Sequence, residues 1–91
     1  MPFELVLPLV LRRQRWKAKI RDGERCEEPH VSIIRGRRTW RLGLRNREFL
    51  DDDPPARKVP AALVAFVWDH LAELRDAWDR MYPENPVGDD R

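Results

Sequence analysis

His30 is the residue in this chain whose type is best suited to chemistry. Its imidazole titrates near neutral pH and can serve as base, proton shuttle or metal ligand. Glu27 and Glu28 precede it, and Ser32 follows at i+2, on the same face of an extended strand. A Ser-His pair becomes a nucleophile only when a third group orients the base, and no Gly-rich nucleophile elbow accompanies this one. A metal site would need His30 and His70 to converge with carboxylates, yet His70 falls on a helical segment across the sheet. Asp51-Asp52-Asp53 offers the carboxylates that hard cations take, but three adjacent residues rarely point at one ion and no calcium-loop spacing follows. The single cysteine, Cys26, excludes an intrachain disulfide and a Cys-x-x-Cys zinc site, which fits a reducing cytoplasm. These residues predict a structural His30 that pins a loop to a strand, no metal and no cofactor. Catalysis through His30 ranks behind binding roles.

The cations are better organised than the titratable pairs. Residues 1–47 carry 13 Lys+Arg against 5 Asp+Glu, whereas residues 48–91 carry 5 against 11. The listless net charge of +2 therefore hides a basic half and an acidic half. Such a split can create a surface that attracts anions although the whole molecule does not. Arginine outnumbers lysine 15 to 3, which suits bidentate contact with phosphate or carboxylate and also fits the codon usage of a GC-rich bacterial genome.

The elements that position these residues follow from periodicity. Phe3–Leu7 reads as a strand that Pro8 interrupts, and Leu9–Gln14 as a helical turn or loop. Trp16–Arg21 alternates, with Trp16, Ala18 and Ile20 on one face and Lys17, Lys19 and Arg21 on the other. Asp22–Pro29 reads as a polar loop. His30–Arg35 is the next strand, Gly36-Arg37-Arg38 a tight turn, and Thr39–Arg45 a strand with Trp40, Leu42 and Leu44 on one face. Asp51–Pro55 breaks that strand. Leu63, Val67, Leu71, Leu74, Trp78 and Met81 then recur at helical spacing and predict one long helix, Pro60–Met81. The predicted fold is α+β: an antiparallel sheet of three to four strands with one long C-terminal helix packed on one face. Residues 1–82 form a single domain and residues 83–91 an irregular, mobile C-terminal tail. No apolar run approaches the roughly 18 residues of a membrane span, and Phe3–Leu11 lacks the flanks of a signal peptide.

Glu28-Pro29-His30-Val31-Ser32-Ile33 resembles the Pro-Pro-His-Val-His-Val segment of a family of small bacterial domains of unknown function. Pro29, His30 and Val31 match strictly, Glu28 stands for the first Pro, and Ser32 stands for the second His. The order of strands and the helix reaching Trp78 agree with that family over about residues 15–80. Members often sit beside another small protein in operons that look like toxin–antitoxin pairs. The resemblance therefore implies a partner protein or a regulatory role.

The open sheet face of this arrangement carries Lys17, Lys19 and Arg21, His30 and Ser32, and Arg41 and Arg45. Two functions follow. The first is a cytoplasmic interaction or regulatory module acting through protein contacts, with an operon partner or a second copy, for which the Phe3–Leu7 edge is the docking strand. The alternative is a nucleic-acid-binding domain that offers the basic sheet face to phosphates. Trp40 is predicted inside, so base stacking on that face is not expected.

Overall fold

The computed structural model describes residues 3–23 and 26–88. Four strands, β1 (Phe3–Leu5), β2 (Trp16–Ile20), β3 (His30–Arg35) and β4 (Arg38–Gly43), form an antiparallel sheet in the order β1-β2-β3-β4. A short helix α1 (Leu9–Arg13) joins β1 to β2, and a 3₁₀ turn (Ala56–Lys58) precedes helices α2 (Ala61–Asp69) and α3 (Leu71–Met81). The molecule is α+β, as the periodicities predict.

Alternation builds the sheet. Ala18 pairs with Ile33, Val31 with Leu42, and Ile33 with Trp40, so one face is apolar across three strands. That face and the helices share one core, in which Ile20, Ile33, Leu42, Leu63, Leu74 and Trp78 are fully buried. The β3–β4 turn is tighter than expected. Arg35 pairs with Arg38, leaving only Gly36 and Arg37 in the loop. Gly36 has φ +61° and open space around it, so the backbone conformation, not crowding, calls for glycine there.

The single long helix is corrected. The apolar stripe lies where expected, with Leu63, Val67, Leu71, Leu74 and Trp78 buried, but the helix breaks at His70, whose φ is −111°. A regular helix would hydrogen-bond the His70 N–H to the Phe66 carbonyl. Here the His70 ring Nδ1 occupies that carbonyl at 2.9 Å, and the backbone N–H turns to Val67 O at 3.0 Å. A side chain has replaced the backbone donor, a competition that hydrophobic spacing does not report.

The segment read as a mobile tail, 83–91, is irregular over its described residues 83–88, yet it and Tyr82 before it are anchored. The Tyr82 hydroxyl donates to the Arg21 carbonyl, Asn85 Nδ2 to Glu27 O at 2.7 Å, and the Val87 N–H to Asp79 Oδ1 at 2.8 Å. Val87 is buried. Residues 89–91 of that tail, and Glu24 and Arg25 of the predicted loop, lie outside the described residues.

Candidate functional site

Of the seven residues expected on an open sheet face, five keep some solvent exposure and two, His30 and Ser32, do not. Lys17, Arg21 and Arg45 are exposed and Lys19 is half-buried. Arg21 donates to Thr39 Oγ1 at 3.3 Å. Arg45 reaches away from the sheet, its Nε donating to Val87 O at 2.7 Å and its Nη2 to Pro86 O at 2.9 Å. It is a strap for the C-terminal segment.

His30 and Ser32 are not on an open face. Their relative exposures are 0% and 1%. Ser32 lies between Lys19 and Arg41 in the strand register. His30 Nδ1 donates to the Glu28 carbonyl at 2.7 Å, its ring centroid is 5.6 Å from that of Trp78, and its Nε2 is 3.9 Å from Glu27 Oε1. The ring thus joins the 26–29 loop, β3 and α3 in one packed contact.

Arg41 is a partnered cation. Its Nε and Nη2 bind the two oxygens of Asp51 at 2.8 and 2.6 Å, a bidentate fork, and its Nη1 donates to Glu27 Oε1 at 3.2 Å. The hydrogen bonds from Arg41, helped by its charge and by His30, hold the Asp51 carboxyl below the usual carboxylate range against the desolvation that would raise it. The same pair raises the Arg41 pKa. Asp51 therefore belongs to an ion pair, and Asp52 and Asp53 are exposed. Among the described residues no group of His, Cys, Asp and Glu could hold a metal ion, and no helix is long and apolar enough to cross a membrane.

The two sheet edges differ. Beyond β4 the chain returns and covers it: the Gly43 N–H donates to Glu48 O at 2.8 Å, the Leu50 N–H to Arg41 O at 2.9 Å, and Leu42 bridges Phe49. This return requires Gly43, because a Cβ there would stand 2.8 Å from Asn46 Oδ1 and 3.0 Å from Glu48 O. The outer edge of β1 has no strand beside it among the described residues. Directly after β1 in the chain come the large hydrophobics that are exposed among the described residues, Val6 at 71% and, on α1, Leu9 at 51% and Val10 at 66%. A groove of about 190 Å³ lies between the end of β1, α1 and the start of β2, bordered by Val6, Leu7 and Trp16, the acid Glu4 and the cations Arg12 and Lys17. The edge strand expected over Phe3–Leu7 ends at Leu5, and the apolar residues of α1 become exposed because Leu11 takes the buried side of that helix.

A second concavity lies at the hairpin end of the sheet, where Arg15, Arg35, Arg37, Arg38 and Lys58 gather around Trp16 and Trp40. The Arg-rich turn was visible in sequence. Arg15 and Lys58 join it only through the fold.

Compared with known proteins, the chain matches no family model, no curated sequence and no solved structure.

Proposed function

We propose that this chain is an interaction module that accepts an extended segment of a partner protein along the outer edge of β1. The observation that carries the reading is the asymmetry of the edges: β4 is covered by residues 48–50, whereas β1 has no strand beside it among the described residues and is followed in the chain by exposed Val6, Leu9 and Val10. Strand addition supplies main-chain hydrogen bonds, and the apolar cluster supplies side-chain contact. The groove at the end of β1 sets Arg12 and Lys17 against one acid, Glu4, a net positive lining that favours a segment with more acidic than basic residues among its apolar ones. The resemblance around Pro29-His30-Val31 supports the same reading, since that family implies an operon-encoded protein partner in a bacterial cytoplasm and a regulatory role, as in a toxin–antitoxin-like pair.

The alternative, nucleic acid on the open sheet face, has less support: His30 and Ser32 are buried, Arg41 is paired with Asp51, and Arg45 holds the C-terminal segment. A catalytic His30 is disfavoured by the complete burial of its ring.

The test is co-expression with the product of the adjacent reading frame, with masses measured by light scattering for the pure chain and the mixture. A complex, or a dimer of the chain itself, that Val6→Lys with Leu9→Lys abolishes supports the edge as the docking surface. A chain that stays monomeric in both samples, or association that survives the double substitution, overturns it. Both positions are exposed, so the variant should keep the wild-type circular dichroism.

A further inference from the structure

The cleft at the hairpin end points to a ligand unrelated to the β1 edge. Its volume is about 550 Å³, within the range of small-ligand sites. Five cations line it, Arg15, Arg35, Arg37, Arg38 and Lys58, and no carboxylate does. They come from three separate stretches of chain: the end of α1, the β3–β4 hairpin and the 3₁₀ turn before α2. Among the described residues, no hydrogen bond or ion pair engages the side chains of Arg15, Arg37, Arg38 or Lys58. Elsewhere the molecule neutralises or ties its arginines, as with Arg41 on Asp51 and Arg75 on the Leu44 carbonyl. Here it gathers like charges around a concavity, an arrangement stabilised when an anion enters.

The walls are prepared as well. Trp16 and Trp40 pack at 5.4 Å between ring centroids, and Trp40 is fixed by Nε1 donating to Pro55 O at 3.1 Å. Arg35 lies over Trp16 with its guanidinium carbon 5.3 Å from the ring centroid, while its Nε donates to Gln14 O at 3.1 Å. That leaves its terminal nitrogens for a ligand. Arg15 has φ +70°, a conformation that helix ends usually give to glycine, so the chain holds an arginine at the cleft against backbone preference. Both tryptophans are only 3% exposed, so bases have little ring face to stack on.

We propose that this cleft binds closely spaced phosphates through its arginines, without reading bases. The chemistry is shared by successive phosphates of a single-stranded nucleic acid and by a free polyphosphate. It does not depend on the β1 edge, and it places any nucleic-acid contact at the hairpin end rather than on the sheet face.

The experiment uses the whole chain with two probes, a labelled oligothymidylate followed by anisotropy and inorganic tripolyphosphate followed by tryptophan fluorescence. The expected result is oligomer binding that weakens steeply between about 50 and about 200 mM salt. Arg37→Glu with Arg38→Glu should weaken it by about tenfold or more and flatten the salt slope by roughly 1.4, the share of two phosphates. Lys17→Glu with Lys19→Glu, an equal charge change on the sheet face, should cost less than about threefold. Oligomer binding that tripolyphosphate displaces assigns the strand backbone as ligand. Binding of tripolyphosphate alone, lost in the same hairpin variant, assigns a free polyphosphate. Failure of both probes at low salt, or equal loss from the two double variants, overturns the proposal. Arg37 and Arg38 are exposed at a turn, and an unchanged melting temperature verifies that the variant folds.

Discussion

Single residues in this protein are fixed by what their atoms displace. Gly43 sits where a Cβ would meet the Glu48 carbonyl at 3.0 Å, so Gly43→Ala must push back the segment that covers β4. It should destabilise the fold by about 1–3 kcal/mol in urea titration. Arg15 presents the opposite case. Its φ of +70° costs a non-glycine residue roughly 1 kcal/mol, part of which glycine would give back in chain entropy. Arg15→Gly should therefore raise the melting temperature slightly, by the equivalent of ~0.5 kcal/mol, while weakening tripolyphosphate binding. Asp51 carries a pH signature. Its pKa is lowered by Arg41 in the folded state, so its contribution to stability is complete above the ordinary carboxylate range. That contribution is lost as pH falls through the depressed folded value. The melting-temperature gap between the wild type and Asp51→Asn should accordingly narrow from about pH 5 to about pH 3.

At the scale of elements, the C-terminal segment is the least obvious part of the structure. Trp78, fully buried on α3, donates from Nε1 to the Asn85 carbonyl at 2.7 Å, and its ring lies 4.4 Å from that of Tyr82. Val87→Asp should thus destabilise by about 2–4 kcal/mol through an unpaired buried charge, and should expose Trp78 to a quencher such as iodide. Composition made 83–91 look like a tail, because Pro83, Glu84, Asn85 and Pro86 form no periodic element. Its anchors are backbone carbonyls of Arg21 and Glu27, far away along the chain, which no local pattern announces. The strands were legible because alternation of apolar and polar side chains is a local signal, and β2 and β3 lie where it put them. The helical stripe was legible for the same reason. The break at His70 was not, because it depends on which donor wins the Phe66 carbonyl. The candidate face was half legible. Parity gave Lys17 and Lys19 the correct side, but burial of Ser32 by its neighbours and capture of Arg41 by Asp51 are tertiary outcomes.

For the whole molecule, the charge division becomes a polarity between the two ends of the sheet. At the end holding His30, the cations are balanced or tied by Asp51, Glu27 and carbonyls of residues 86–87. At the hairpin end, Arg37, Arg38, Arg15 and Lys58 surround a concavity with no acid in its lining. Four of the 13 cations of residues 1–47, Arg15, Arg35, Arg37 and Arg38, thus gather at the hairpin end, while the acids of α3, such as Glu73 and Asp76, face outward. Trp16 lines both this cleft and the groove at the end of β1, so the anion-attracting end adjoins the apolar one.

The Tyr82 and Asn85 anchors also set an order in time. They close onto Arg21 and Glu27, residues made about sixty positions earlier. A ribosome adds ~5–20 residues per second, so the sheet end around His30 waits several seconds for the segment that seals it. During that interval His30 lacks its Trp78 neighbour as well, and a chaperone or a partner would meet the nascent sheet with this end still open.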